Sequence, residues 1–128
     1  MIGPRHLQTA LLAAFTAGLA GSADAQDAGS GARVFQTYCG ACHSADQPPR
    51  NKIGPSLIGV VGRKAGTAPG FNYSAAMKAY GQTWSAANLD AFLAAVASKT
   101  VPGTKMTFFG VKDLAKRANL IAFLKAQK

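Results

Sequence analysis

An all-α fold of three to five helices joined by long loops is what this sequence predicts, and three observations predict it. Apolar residues recur every three or four positions in three stretches, the spacing that gathers them on one face of a helix. A fourth, shorter stretch is bounded by a serine and a glycine in the positions of helix caps. No run combines strand-forming residues with alternation, and the intervals between helices are too rich in proline and glycine to hold a long helix or a central strand.

The first helix is expected through Ala32 to about Ala41, capped by Asp27 or Ser30, with Val34, Phe35, Tyr38 and Cys42 along one face. Residues 44–70 hold Pro48, Pro49, Pro55 and Pro69 among several glycines, and so read as one long loop. A loop that long in a small chain needs a task, and wrapping the edge of a cofactor is one. Ser74 caps a short helix over 75–80 that Gly81 stops. Ser85 caps the next, over 86–97, with Leu89, Phe92, Leu93 and Val96 facing inward. Residues 100–110, with Pro102-Gly103, are again irregular. The last helix runs from Val111 or Asp113 to Ala126, turning Leu114, Ala118, Ile121 and Leu124 or Leu120 inward, with Lys125 and Lys128 at its negative end.

The chain has 128 residues and is expected to form one domain behind a leader. Arg5 and His6 precede an apolar stretch from Thr9 to Ala20, and Ala23-Asp24-Ala25 is a small-residue cleavage site. Residues 1–25 therefore read as a cleavable secretory signal and residues 26–128 as the mature domain. The competing reading, a retained anchor, meets an apolar stretch shorter than the roughly 20 residues a bilayer requires. A mature chain of about 100 residues is small for a single apolar core, and a large apolar cofactor at its centre would supply what is missing.

Fourteen Lys and Arg against five Asp and Glu give a net charge of +9. That balance favours acidic partners. Nucleic acid is the weaker reading, because an exported chain rarely meets it and no helix-turn-helix or basic–aromatic stripe is present.

Cys39-Gly40-Ala41-Cys42-His43 spells C-x-x-C-H, the attachment motif of c-type haem. Thiols three positions apart on a helix share a face, so both reach one edge of a porphyrin, and the next residue carries an imidazole to the iron. A structural zinc site needs four ligands, whereas the chain has two cysteines and two histidines, one of them His6 in the expected leader. A redox C-x-x-C belongs beside a βαβ pattern that is missing here.

Iron held by His43 leaves a sixth position. With His6 removed no second histidine remains, and the candidates are methionines. Met106, in the loop 101–106, can approach the ring from the far side; it can equally be a filler of an irregular apolar gap.

Six segments together resemble the class I c-type cytochromes, especially the mitochondrial and bacterial periplasmic carriers. They are Cys39 to His43, Ile53-Gly54-Pro55-Ser56-Leu57, Val61 to Gly66, Ala68 to Ser74, Pro102 to Met106, and Asn119 to Leu124, with Trp84 between the fourth and fifth. The resemblance spans nearly all of residues 31–127 in order and near family spacing. It implies a cytochrome c fold whose loops wrap one covalently bound haem c, with His43 and Met106 as axial ligands. It implies that the Pro55 carbonyl accepts the second imidazole N–H, which fixes the tautomer. Arg63, Tyr73, Ser74, Trp84 and Thr104 resemble the groups that hydrogen-bond or neutralise buried propionates, and Phe108 a wall of the haem pocket. Gly31 and Phe35 resemble residues that cross the last helix at Leu120 and Phe123.

Two positions depart from the mitochondrial pattern. Phe92 stands where a tyrosine hydroxyl usually reaches the ligand sulfur, and Met77 where an asparagine usually helps hold an internal water. The expected consequences are a missing hydrogen bond to sulfur and an altered water network. One extra residue between Trp84 and Met106 leaves Lys99 without a certain counterpart.

The implied function is one-electron transfer in the periplasm by a monomer, not an enzyme, with no nucleic-acid partner. A quinol-oxidising complex or dehydrogenase would be the donor, and an oxidase, reductase or photosynthetic reaction centre the acceptor. Lys52, Lys64, Lys105 and Lys112 flank the loops expected at the haem edge and would steer transient docking to acidic surfaces of these complexes. Two other readings stand beside it: a haem enzyme or gas sensor with an open sixth site, and a haem-bearing structural subunit of a larger complex.

Overall fold

A computed structural model describes residues 27–128 and, ahead of them, only Gly3, Ala13, Ala14 and Gly18. His6 and the Ala23-Asp24-Ala25 site lie outside the described residues. Among the described residues there are five helices: α1 (Ala28–Tyr38), α2 (Ala75–Tyr80), α3 (Ala86–Ala94), α4 (Ala97–Thr100) and α5 (Leu114–Ala126). Their only strand-like pairing is an isolated bridge between Lys64 and Thr83. None of these helices is long and apolar enough to cross a membrane.

Helices α1 and α5 make the most extensive helix contact. Gly31 makes it possible: a Cβ there would lie 2.6 Å from the carbonyl carbon of Asn119 and 2.8 Å from Cβ of Phe123. With no side chain at Gly31 the backbones close in. Phe35 then tilts against Phe123 with ring centroids 5.3 Å apart, and Leu120 is fully buried. The crossing expected of Gly31, Phe35, Leu120 and Phe123 is present.

Local signals set the helix starts. The carboxylate of Asp27 accepts the Gly29 N–H at 2.9 Å. Ser30, the other candidate cap, instead donates its hydroxyl to Asp27 at 2.6 Å. Ser74 caps α2 through the Met77 N–H, and Gly81 ends it in a left-handed conformation. Ser85 and Asn88 form a reciprocal capping box at α3. Asp113 caps α5.

Three expectations need correction. The first helix starts at Ala28 and stops at Tyr38, not near Ala41: Cys39 and Gly40 both turn their N–H groups onto the Phe35 carbonyl, closing the helix so that Cys39 to His43 form a separate turn. The helix expected over 86–97 is two. In a continuous helix Ala97 N–H would bond the Leu93 carbonyl, but Ala97 donates to Phe108 at 3.0 Å and Leu93 accepts from Val111 at 2.7 Å. A distant loop takes both partners, Ala95 becomes extended, and Val96 is left 38% exposed. Finally, Leu114 is 68% exposed. The buried stripe of α5 is Arg117, Leu120, Ile121 and Leu124, so the N-terminal inward position belongs to a partnered arginine.

Candidate functional site

The helices and the 44–70 loop enclose a cavity of about 600 Å³ at the centre of the molecule, within the range of roughly 300–1,000 Å³ typical of cofactor sites. The turn after α1 supplies Cys39, Cys42 and His43, and the long loop Gly54, Pro55, Leu57, Val60 and Arg63. Tyr73, Ser74, Met77 and Trp84 come from around α2, Leu89, Phe92 and Leu93 from α3, and Thr104, Lys105, Met106 and Phe108 from the segment ahead of α5. All the residues expected at the cofactor or iron therefore line one space.

His43 is built in from two sides. Its backbone N–H closes a turn onto the Cys39 carbonyl at 2.9 Å, and the chain returns so that the Gly54 N–H meets the Cys42 carbonyl at 2.8 Å. The returning loop brings the Pro55 carbonyl to 2.7 Å from the imidazole Nδ1. A carbonyl only accepts, so Nδ1 carries the proton and Nε2 keeps its lone pair free. Gly54 lies flat against the ring; a Cβ there would sit 2.7 Å from Nδ1 and 2.8 Å from Nε2. Burial pushes the imidazole pKa below its ordinary value, the Pro55 contact opposes this, and the nearby charges of Arg63 and Lys52 add to the lowering. A neutral imidazole with one bare nitrogen is the form that binds a metal.

Cys39 and Cys42 are both free thiols. Burial, then repulsion from Cys42, pushes the Cys39 thiol up to about 12. A thiol held protonated attacks disulfides poorly, unlike a redox C-x-x-C. Among the described residues no three His, Cys, Asp or Glu side chains gather as a metal cluster, which removes the zinc reading there.

Met106 is half-buried, and its N–H donates to the Thr104 hydroxyl at 3.2 Å. Phe108 is buried two residues on. Phe92 is 4% exposed and packs on Trp84 with centroids 5.0 Å apart; Trp84 in turn meets Tyr80 at 5.5 Å. Met77, the other departure from the family pattern, is buried on the same cavity.

The polar wall is Arg63, Tyr73, Ser74, Trp84 and Thr104. Arg63 is anchored by the Ile58 and Ser56 carbonyls, both at 2.9 Å, leaving further guanidinium N–H groups unused by them. Burial lowers the Arg63 pKa, and Tyr73 partly offsets this. The Tyr73 hydroxyl accepts the Ala68 N–H at 2.9 Å, and the Ser74 hydroxyl accepts from Met77 at 3.1 Å. Each hydroxyl retains its own proton to donate. An apolar disc with a carboxylate edge, held by two thiols and an imidazole, fits this lining.

Of the four lysines singled out, Lys105 reaches the cavity. Lys52 donates to the Gly40 carbonyl at 2.7 Å, beside the cysteine turn, and Lys112 to Ala94 at 3.0 Å. Lys64 is exposed where it pairs with Thr83. Sequence reading gave no role to Leu57 and Val60, which form walls from a loop without periodicity. Gly54 was visible only as part of a motif; its abutment on His43 emerges from the fold.

The family model for cytochrome c matches residues 28–128. Cytochrome c2 of Rhodomicrobium vannielii is 46% identical over 114 residues, covering 87% of this chain and 90% of that protein. Cytochrome c of Nigella damascena is 41% identical over 103 residues, covering 80% and 92%. The structure of cytochrome cH from Methylobacterium extorquens superposes with a TM-score of 0.71 at 46% identity, covering 77% of this chain and 97% of that one. With the matched span running from α1 to the last residue and the cavity suited to the group those proteins carry, the chain belongs to the cytochrome c family, an electron carrier rather than an enzyme, with haem c as its cofactor.

Proposed function

We propose that the protein is an exported, periplasmic one-electron carrier whose haem iron is bound by His43 and Met106. The observation that carries this reading is that Cys39, Cys42, His43 and Met106 line a single cavity. Cys39 and Cys42 hold the haem by thioethers. When bound, the haem supplies a ferric/ferrous couple, and a thioether ligand raises its potential. The chain's residues do the rest. Pro55 fixes the His43 tautomer and increases its basicity. Phe92, Phe108, Leu89 and Leu93 keep water from the ring, lowering the local dielectric. Arg63, Tyr73, Ser74, Trp84 and Thr104 satisfy the propionates, which would be costly to bury unpaired.

Residues 1–25 act as the cleaved signal, and residues 26–128 are the mature monomer. Lys52, Lys64, Lys105 and Lys112 steer it to acidic surfaces of its partners. The donor is a quinol-oxidising complex or dehydrogenase; the acceptor is an oxidase, reductase or reaction centre.

Expression with the bacterial export and haem-attachment machinery tests the reading. A red protein in the periplasmic fraction, starting near Gln26, low-spin and inert to carbon monoxide when reduced, is expected. A high-spin ferric spectrum with ready carbon monoxide binding would replace it with the open-site reading.

A further inference from the structure

Arg117, on the inward stripe of α5, is 9% exposed. Its Nε donates to the Asp90 carboxylate of α3 at 2.8 Å, and its Nη1 to the carbonyls of Val111 at 3.0 Å and Lys112 at 3.1 Å. Those two carbonyls end the segment that begins at Met106. The opposite side of the segment is held by the α3–α4 break: Val111 N–H on the Leu93 carbonyl, the Phe108 carbonyl on Ala97 N–H, and Lys112 Nζ on Ala94. Residues 108–112 are thus gripped from both sides, and Arg117 is the grip from α5.

The chemistry of the grip is specific. A buried guanidinium needs a counter-charge and acceptors in its own plane. Asp90 gives the first, and two consecutive carbonyls give the second. Lysine offers the charge without the fork. Upstream of Met106 the anchoring is lighter, with Thr104 N–H on the Val101 carbonyl and Met106 N–H on the Thr104 hydroxyl. Movement of the thioether away from the cavity is therefore resisted mainly from the downstream side.

We propose that Arg117, with Asp90, is a positioning residue for Met106: by fixing the Val111 and Lys112 carbonyls it sets how often the thioether leaves the iron. This rests on Met106 being the axial ligand. An external ligand competes only for the open form, so its apparent affinity scales with the population of that form.

Imidazole titration of the ferric holoprotein tests this, following the weak red-region sulfur–iron band alongside thermal unfolding. Wild type, Arg117→Lys and Asp90→Asn are compared, with Asn119→Ala as control: it removes the side-chain oxygen that accepts the Asp27 N–H at 2.9 Å at the α1–α5 crossing and touches neither Asp90 nor the 108–112 segment. Imidazole is expected to bind about tenfold more tightly to Arg117→Lys and severalfold more tightly to Asp90→Asn. Asn119→Ala should lower the melting temperature and leave imidazole affinity unchanged. If Arg117→Lys does not accumulate, Asp90→Asn carries the comparison, with faster amide exchange expected at Ala97 and Val111, whose N–H groups hold the segment to the α3–α4 break. A lowered melting temperature with unchanged imidazole affinity in both variants overturns the proposal. Absence of the band in wild type overturns the axial reading first, and this proposal with it.

Discussion

The imidazole of His43 donates from Nδ1 to the carbonyl oxygen of Pro55, 2.7 Å away, across a turn in which Gly54 lies against the ring face. One residue thus aims the imidazole, and its neighbour leaves room for it. The motif Ile53 to Leu57 matters here because it returns the chain under His43.

Gly54→Ala tests that packing. Its methyl would fall 2.7 Å from Nδ1, and the ring cannot retreat without losing Pro55. We expect a loss of about 2–3 kcal/mol of stability, read by denaturant unfolding of the holoprotein, and a lower yield of haem-loaded chain. Unchanged stability would contradict the packing.

The pH dependence follows from the same residue. Burial pushes the imidazole pKa down in the fold, whereas the unfolded chain protonates it near about 6.5. Below that value the unfolded state binds the extra proton, so stability falls as pH is lowered. The chain has two histidines, and His6 is in the proposed leader, so His43 is the one histidine of the proposed mature chain. The unfolding free energy obtained from denaturant titration should decline as pH falls below about 6.5, with a slope of up to about 1.4 kcal/mol per pH unit. A flat profile would contradict a neutral, held His43.

Phe92→Tyr restores a hydroxyl at the cavity wall. If it reaches the Met106 sulfur, it withdraws electron density from the ligand and raises the reduction potential. One ordinary hydrogen bond of about 1 kcal/mol corresponds to about 40 mV for a one-electron couple, measurable by redox titration. No shift would show that Phe92 does not neighbour the ligand.

Lys52 and Lys105 sit beside the cysteine turn and the Met106 segment. Replacing both by glutamate should slow electron transfer to an acidic redox partner about tenfold at low salt, with the difference vanishing near about 0.5 M salt. Stopped-flow kinetics reads this directly. A salt-independent rate in wild type would deny the docking role of these lysines.

The residues that carry chemistry were legible because each has a local signature. Cys39, Cys42 and His43 are adjacent in sequence, Ser74 and Gly81 bracket α2, and Gly31 sits where only a close crossing needs it. What stayed hidden depends on distant partners. The α3–α4 break exists because Phe108 and Val111 take hydrogen bonds that α3 would otherwise keep for itself. Arg117 is buried because Asp90, 27 positions away, meets it. Leu114 continues a helical pattern but is exposed, because the buried stripe of α5 begins one turn later, at Arg117. No window of local sequence contains these pairings.

The most direct measurement is proton–carbon NMR of the reduced holoprotein carrying 13C-methyl methionine, with Met77→Leu to separate the two methionines of the proposed mature domain. A Met106 methyl bound to iron lies over the haem, and ring current should move it far upfield of every other methyl signal. Met77 should stay outside that extreme region. A Met106 methyl at its ordinary position, or Met77 in its place, would contradict the ligation on which this account depends.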